Sequence, residues 1–164
     1  GTLELLMTKP ITDLQIILAK YLAGLLVVVI AIFPTLVYFL SVYLLGNPVG
    51  NIDAGATWGS YLGLIFLASV YVSIGIFASS LTKNQIVAFL IAALISFVMY
   101  SGFQSLGTFN LFGSLDRFII RLGMEDHYSG MSIGLIDSRD VLYFVGVSAF
   151  FILLTRLRLQ ARNW

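Results

Sequence analysis

Four long stretches that are almost without charge constrain the fold of this chain more than any other feature. They cover residues 21–45, 59–81, 86–106 and 141–156, and Arg156 is the one charged residue among them. A helix needs roughly 20 apolar residues to cross a bilayer. Charged residues make up only 10% of the chain, against about 25% in soluble domains. The sequence therefore predicts an all-α integral membrane protein with four transmembrane helices, in a single membrane domain over residues 1–164.

Lysine and arginine are distributed unevenly between the two sides of the predicted spans. An even number of spans places both chain ends on one side. That side holds six basic residues: Lys9, Lys20, Lys83, Arg156, Arg158 and Arg162. The other side holds three: Arg117, Arg121 and Arg139. Because basic residues are enriched in cytoplasmic loops, the pattern predicts both ends in the cytoplasm, with Lys20, Lys83, Arg156, Arg158 and Arg162 as topology anchors.

Short local patterns predict where the first helix begins and bends. Thr12 and Gln15 have the T-x-x-Q spacing of a capping box, so a helix is expected to start near Asp13. Pro34 should kink the first span, because its ring removes a backbone donor and clashes with the preceding turn.

Small and polar side chains within the spans predict helix packing. Small residues recur four apart in the pairs Gly59/Gly63, Ser69/Ser73 and Ala88/Ala92, a spacing that lets helix backbones approach closely in lipid. A few polar residues lie in or near the spans, namely Ser69, Tyr71, Ser73, Tyr100 and Gln104. We expect these to form interhelical hydrogen bonds rather than to contact a substrate.

The segment between the third and fourth spans is predicted to form outer amphipathic helices over residues 109–138. One helical face carries Leu111, Phe112, Leu115, Phe118, Ile119 and Leu122, and another carries Ser114, Arg117 and Arg121. Such a helix suits the membrane interface rather than a full span. Asp137 or Ser138 can cap the helix that follows.

His127 lies beside Glu125 and Asp126 in the same segment. Two interpretations are open: an outer metal or proton site, and a solvated loop at the membrane surface. The loop is the simpler interpretation, because one histidine and two adjacent carboxylates lack the spacing of metal ligands.

Several function classes are excluded or disfavoured by what the sequence lacks. There is no cysteine, which excludes disulfides and thiolate metal sites. Neither "TKP" nor "TKN" belongs to a P-loop, so ATP, if used, is bound by another chain. No ionisable residue is predicted near the middle of a span, which disfavours a proton-coupled transporter. We expect no enzymatic activity, no cofactor or metal in this chain and no nucleic-acid partner.

The first ten residues, "GTLELLMTKP", are more polar than the spans that follow. With Thr2 as N-cap they can form a helix of about two turns, which is too short to be stable alone in water. They therefore require a membrane, a preceding helix or a partner surface. Because the chain starts at Gly1 and not at methionine, we expect it to be the C-terminal part of a longer protein.

"GTLELLMTKPITDLQIILAKYLAG" resembles the coupling segment of ABC-2-type transporter permeases, which reads G-T-L-E-L-L-x-T-x-P-[IV]-[ST]. The resemblance implies a permease of six membrane helices, of which the four spans are the third to sixth. It implies that residues 1–10 form a cytoplasmic coupling helix on a separate ATP-binding subunit, which holds ATP and Mg. The residues it assigns to coupling are Thr2, Glu4, Leu5, Leu6, Thr8, Lys9 and Pro10. It also implies a second permease copy or a paralogue, in a bacterial cytoplasmic (inner) membrane.

"MEDHYSGMSIGLIDSRDVLYF" and "LLTRLRLQARNW" are similar to the gliding-motility-associated ABC transporter permease of the Bacteroidota. Ile133 departs from that pattern, which has a basic residue before the glycine. This narrower resemblance implies a gliding partner with a periplasmic domain. Two alternatives stay open. One is an ABC-2 exporter permease for drugs, lipids or copper-site maturation, and the other is a structural membrane anchor subunit of another complex.

Overall fold

The computed structural model describes residues 12–162, without the side chain of Arg162. Its helices are α1 (Asp13–Ile32), α2 (Leu36–Leu45), α3 (Ala54–Leu81), α4 (Gln85–Phe97), α5 (Phe103–Thr108), α6 (Asp116–Leu122), α7 (Met124–Ser132) and α8 (Ser138–Arg162). A 3₁₀ turn joins α1 to α2, a π-helical turn at Val98–Gly102 joins α4 to α5, and a second 3₁₀ turn at Gly113–Leu115 precedes α6. No strand occurs within residues 12–162.

Four helical units in this part of the chain are long and apolar enough to cross a membrane, which confirms the predicted fold class. They are Asp13–Leu45, Ala54–Leu81, Gln85–Thr108 and Ser138–Ala161. Each helix extends beyond the apolar stretch seen in the sequence, because polar caps and basic side chains continue a helix past its apolar part. The longest extension at a single end is that of the first, which begins at Asp13 rather than at Tyr21.

The predicted start of α1 is confirmed. The backbone N–H of Gln15 donates to Thr12 Oγ1 at 3.2 Å, and the N–H of Thr12 donates to Gln15 Oε1 at 3.0 Å. This reciprocal pair satisfies two donors that a helix N-terminus otherwise leaves unpaired.

Pro34 interrupts the α-helix as predicted, with a 3₁₀ turn over Phe33–Thr35. The Thr35 hydroxyl donates to the carbonyl of Ile32 and lies 2.8 Å from the Tyr61 hydroxyl of α3. A hydrogen bond between Thr35 and Tyr61 therefore joins the 3₁₀ turn to α3.

α3 is the central helix and has the largest buried share of the four spans. It packs against α1, α4, α7 and α8. The buried core combines residues of α3, α7 and α8: Leu67, Val70, Ile74, Met124, Met131, Phe144 and Phe151. Both methionines of this core, Met124 and Met131, belong to α7. This short helix is therefore part of the buried core.

The two ends of the bundle differ in composition. The basic end comprises residues 12–20, 79–86 and 155–162, which meet around shared cavities. The loop end comprises residues 46–60 and 107–140, where the Ser60 hydroxyl donates to the Ser132 carbonyl.

α7 packs onto α3 at two glycines. A Cβ on Gly59 would overlap the carbonyl oxygen of Met131 and lie 3.0 Å from Gly134 Cα, and a Cβ on Gly63 would lie 3.1 Å from Met131 Cβ. The pair is confirmed as a site of close packing. Its partner is α7, however, and not another membrane span.

The apolar face predicted from Leu111 onward is not one continuous helix. Asn110 and Gly113 have φ values of +55° and +63°, which helical residues do not adopt. α6 therefore begins only at Asp116, whose buried carboxylate accepts the N–H of Phe112 at 3.2 Å. Phe112, Leu115 and Phe118 remain exposed.

Candidate functional site

The residues predicted to couple to an ATP-binding subunit lie outside the described residues. They are Thr2, Glu4, Leu5, Leu6, Thr8, Lys9 and Pro10. Their assignment stays a prediction, as does any contact of the Arg162 side chain. The capped start of α1 at Asp13 follows them directly in the chain.

A cavity of about 460 Å³ lies at the basic end between α1, α3 and α8. Its polar lining residues are Lys20, Ser79, Ser80 and Thr155. The hydroxyls of Ser80 and Thr155 donate to the carbonyls of Phe77 and Phe151 in their own helices. Lys20 is the one charged residue among the described residues that line this cavity.

Ser80 also lines a second pocket of about 190 Å³, together with Leu81, Thr82, Lys83 and Arg158. The two cavities thus adjoin at Ser80. No aspartate or glutamate among residues 12–162 lines either of them. The structure therefore brings three of the predicted anchors, Lys20, Lys83 and Arg158, to one region, while Arg156 is exposed nearby on α8.

At the loop end, His127 links three helices through both of its ring nitrogens. Nδ1 lies 2.6 Å from Asp140 Oδ1 at the start of α8, and Nε2 lies 2.7 Å from the carbonyl oxygen of Arg121 in α6. The ring stacks on Tyr143 with centroids 3.8 Å apart. The Tyr143 hydroxyl donates to the carbonyl of Leu122.

A carbonyl oxygen can only accept, so the Nε2–H of His127 donates to the Arg121 carbonyl in the last turn of α6. The contact between Nδ1 and Asp140 joins the same ring to the first turn of α8. His127 therefore holds the layer of α6 and α7 against α8.

The interpretation of residues 125–127 as a solvated loop is wrong. They belong to α7, and only 14% of the His127 side chain and 18% of that of Asp140 are exposed. The partner of His127 is Asp140, whereas Glu125 and Asp126 make no ion pair with it. Within residues 12–162, no three side chains of histidine, aspartate or glutamate are grouped as metal ligands.

The polar residues within the spans behave in different ways. Ser69 lies 3.2 Å from the Ser148 hydroxyl of α8, which confirms an interhelical hydrogen bond. Ser73 instead donates to Val70 in its own helix. Gln104 Oε1 is buried without a hydrogen-bond partner among the described residues.

No local sequence pattern indicates the pairing of His127 with Asp140 and Tyr143. His127 belongs to α7, whereas Asp140 and Tyr143 belong to α8, and the turn over residues 133–137 separates the two helices.

Comparison with models of protein families identifies a match. The family model described as "ABC-2 family transporter protein" matches residues 1–115 of the 164. No curated protein and no solved structure matches the chain. The matched range includes the predicted coupling segment and the first three apolar helices.

Proposed function

Because the chain belongs to the ABC-2 family of transporter proteins, we propose that it couples ATP hydrolysis on a separate subunit to movement across a bacterial cytoplasmic membrane. The ATP-binding subunit holds ATP and Mg, and this chain supplies membrane helices, assembled with a second copy or a paralogue. Both ends of the chain face the cytoplasm, since the basic end carries Lys20, Lys83 and Arg158.

One observation carries this proposal: the family match includes residues 1–10, and α1 begins three residues later, at Asp13. α1 contacts both α3 and α8 at the basic end. A displacement of residues 1–10 by the ATP-binding subunit would therefore act on the point where three helices meet. Coupling also requires that this segment contact the two nucleotide states of the subunit differently, because equal contact shifts no equilibrium.

The test is co-purification of the full-length protein with its ATP-binding subunit, together with the ATPase rate of the complex. Glu4→Arg reverses a charge and Leu6→Asp removes an apolar contact in residues 1–10. The matched control for the first is Asp126→Arg, the same type of charge reversal on an exposed residue of α7. The control for the second is Leu135→Asp, at an exposed leucine of the loop end.

We expect both variants in residues 1–10 to lower subunit binding or ATPase stimulation, with both controls close to wild type. If both bind and stimulate normally, the coupling assignment is wrong, and the alternative of a structural anchor subunit gains support. Equal losses in folded variants and folded controls would also contradict it, since the effect would then not be specific to residues 1–10.

We further propose that the protein belongs to the gliding-motility-associated branch. The residues that support this lie in 124–144 and 153–164, beyond the range of the family match. Deletion of the chain from a gliding host should abolish movement over surfaces, and the wild-type chain should restore it. Normal gliding with loss of drug resistance, lipid export or copper-enzyme activity would instead identify the corresponding exporter.

A further inference from the structure

The cavity between α1, α3 and α8 combines a cation with an apolar wall. Lys20 provides the charge, and Ser80 connects the cavity to the pocket that holds Lys83 and Arg158. Asp13 precedes Lys20 by two helical turns on α1 but does not line the cavity. Three basic side chains, with no acidic one among the described residues of the walls, are complementary to an anion.

Most of the remaining wall is apolar. It is formed by Ile16, Ile17, Val72, Ile76 and Leu159, beside the hydroxyl-bearing residues Ser79, Ser80 and Thr155. Gly75 leaves open space, since a Cβ built there meets no atom within 4 Å. At about 460 Å³, the cavity is within the range of about 300–1,000 Å³ usual for small ligands. A hydrophilic anion such as free phosphate would make no contact with most of this apolar surface.

When the roughly 20 residues that end at Leu45 are taken to cross the hydrocarbon core, Lys20 lies at the depth of lipid headgroups. The first span contains 33 residues, which is about 50 Å of helix at 1.5 Å per residue. Roughly 20 residues cross the hydrocarbon core, and counting them back from Leu45 reaches Leu26. Lys20 then lies about 9 Å beyond the core boundary, where phosphates are found.

We propose that this cavity binds one acidic phospholipid from the leaflet at the basic end. The phosphate lies at Lys20 with Lys83 and Arg158 nearby, and an acyl chain starts along the apolar wall past Gly75. Binding does not require the ATP-binding subunit, so its failure would leave the coupling proposal intact.

The test uses the full-length protein in phosphatidylcholine vesicles that contain a minor share of phosphatidylglycerol. Either lipid carries a diazirine in its acyl chain, and the labelled peptides are identified by mass spectrometry. We expect phosphatidylglycerol to label residues 16–24 and 72–80 more than phosphatidylcholine does. Peptides around Phe89 and Leu90, which are exposed on α4, should be labelled equally by both lipids.

Two variants and one control separate the contributions of charge and space. Lys20→Gln should reduce phosphatidylglycerol labelling of the cavity about fivefold, as one basic residue contributes about 1 kcal/mol to binding of acidic lipid. Gly75→Leu should reduce it with Lys20 intact, because the side chain occupies the space for the acyl chain. Arg139→Gln, at an exposed site of the loop end, should change nothing. Thermal unfolding of each variant shows whether it is folded.

Three outcomes would overturn the lipid assignment. Equal labelling of the cavity by both lipids would indicate ordinary contact with the bilayer. Loss of labelling on addition of glycerol 3-phosphate would identify a soluble anion as the ligand. Cross-links from residues 16–24 to residues 1–11 in place of lipid would show that this chain fills the cavity itself.

Discussion

Replacing Gly59 with alanine places a methyl group where α7 approaches α3 most closely. The new Cβ would overlap the Met131 carbonyl oxygen and lie 3.0 Å from Gly134 Cα. Both obstacles are backbone atoms, so no side-chain rotation can relieve the overlap. α7 must move away from α3, and the fully buried Met131 must move with it.

Two opposing effects determine how much Gly59→Ala changes the free energy of unfolding. Alanine is favoured over glycine within a helix by about 1 kcal/mol. Overpacking of a core costs about 1–3 kcal/mol, and backbone obstacles place this site at the upper end. We therefore expect Gly59→Ala to lower the free energy of unfolding by about 2 kcal/mol. For a domain of this size each kcal/mol lowers Tm by roughly 2–4 °C.

The assay is thermal unfolding of the purified protein in detergent, with hydrogen exchange measured over residues 124–132. Gly146→Ala is the matched control, because a Cβ there meets no atom within 4 Å. We expect a lower Tm and faster exchange in α7 for Gly59→Ala, and an unchanged or higher Tm for Gly146→Ala. Equal Tm values with unchanged exchange in α7 would refute the packing of α7 on Gly59.

Three further predictions concern single hydrogen bonds. His127→Phe keeps an aromatic ring beside Tyr143 but leaves the Asp140 carboxylate without its partner, and should lower the free energy of unfolding by about 2 kcal/mol; a thermal stability equal to wild type would contradict this pairing. Thr12→Ala removes the cap of α1 and should cost about 1 kcal/mol, with faster hydrogen exchange at residues 13–17 and no change in α7. Ser148→Ala removes the interhelical hydrogen bond to Ser69 and should lower the free energy of unfolding in detergent by about 0.6 kcal/mol. An unchanged free energy of unfolding would contradict this hydrogen bond.

Features that depend on neighbouring residues could be predicted from the sequence. The capping box involves only Thr12 to Gln15, and the interruption at Pro34 involves only Phe33 to Thr35. Each feature depends on residues within one turn of the chain. The apolar stretches likewise predicted the four long helices, since crossing a bilayer requires only length and low polarity. Asp137, predicted as a possible cap, accepts the N–H of Arg139 at 3.0 Å before α8.

Features that depend on tertiary packing could not be predicted. The small-residue spacing identified Gly59 as a contact site, but the spacing is the same whichever helix is the partner. Ser69 and Ser73 occupy equivalent positions on α3, yet only Ser69 meets a hydroxyl of α8, 79 residues away. The pairing of His127 with Asp140 depends on how α7 folds back onto α8, which no local pattern encodes.

The packing of α3 indicates how movement at the basic end would reach the loop end in the proposed function. α3 has 28 residues, about 42 Å of helix, and it lines the cavity near Lys20 at one end and contacts α7 at the other. α7 packs closely on α3 at Gly59, and the His127–Asp140 contact joins α7 to α8. A tilt of α3 would therefore act on α7 through direct contact, and on α8 through α7. In the proposed function, α3 is the element whose two positions both ends of the bundle would have to favour differently.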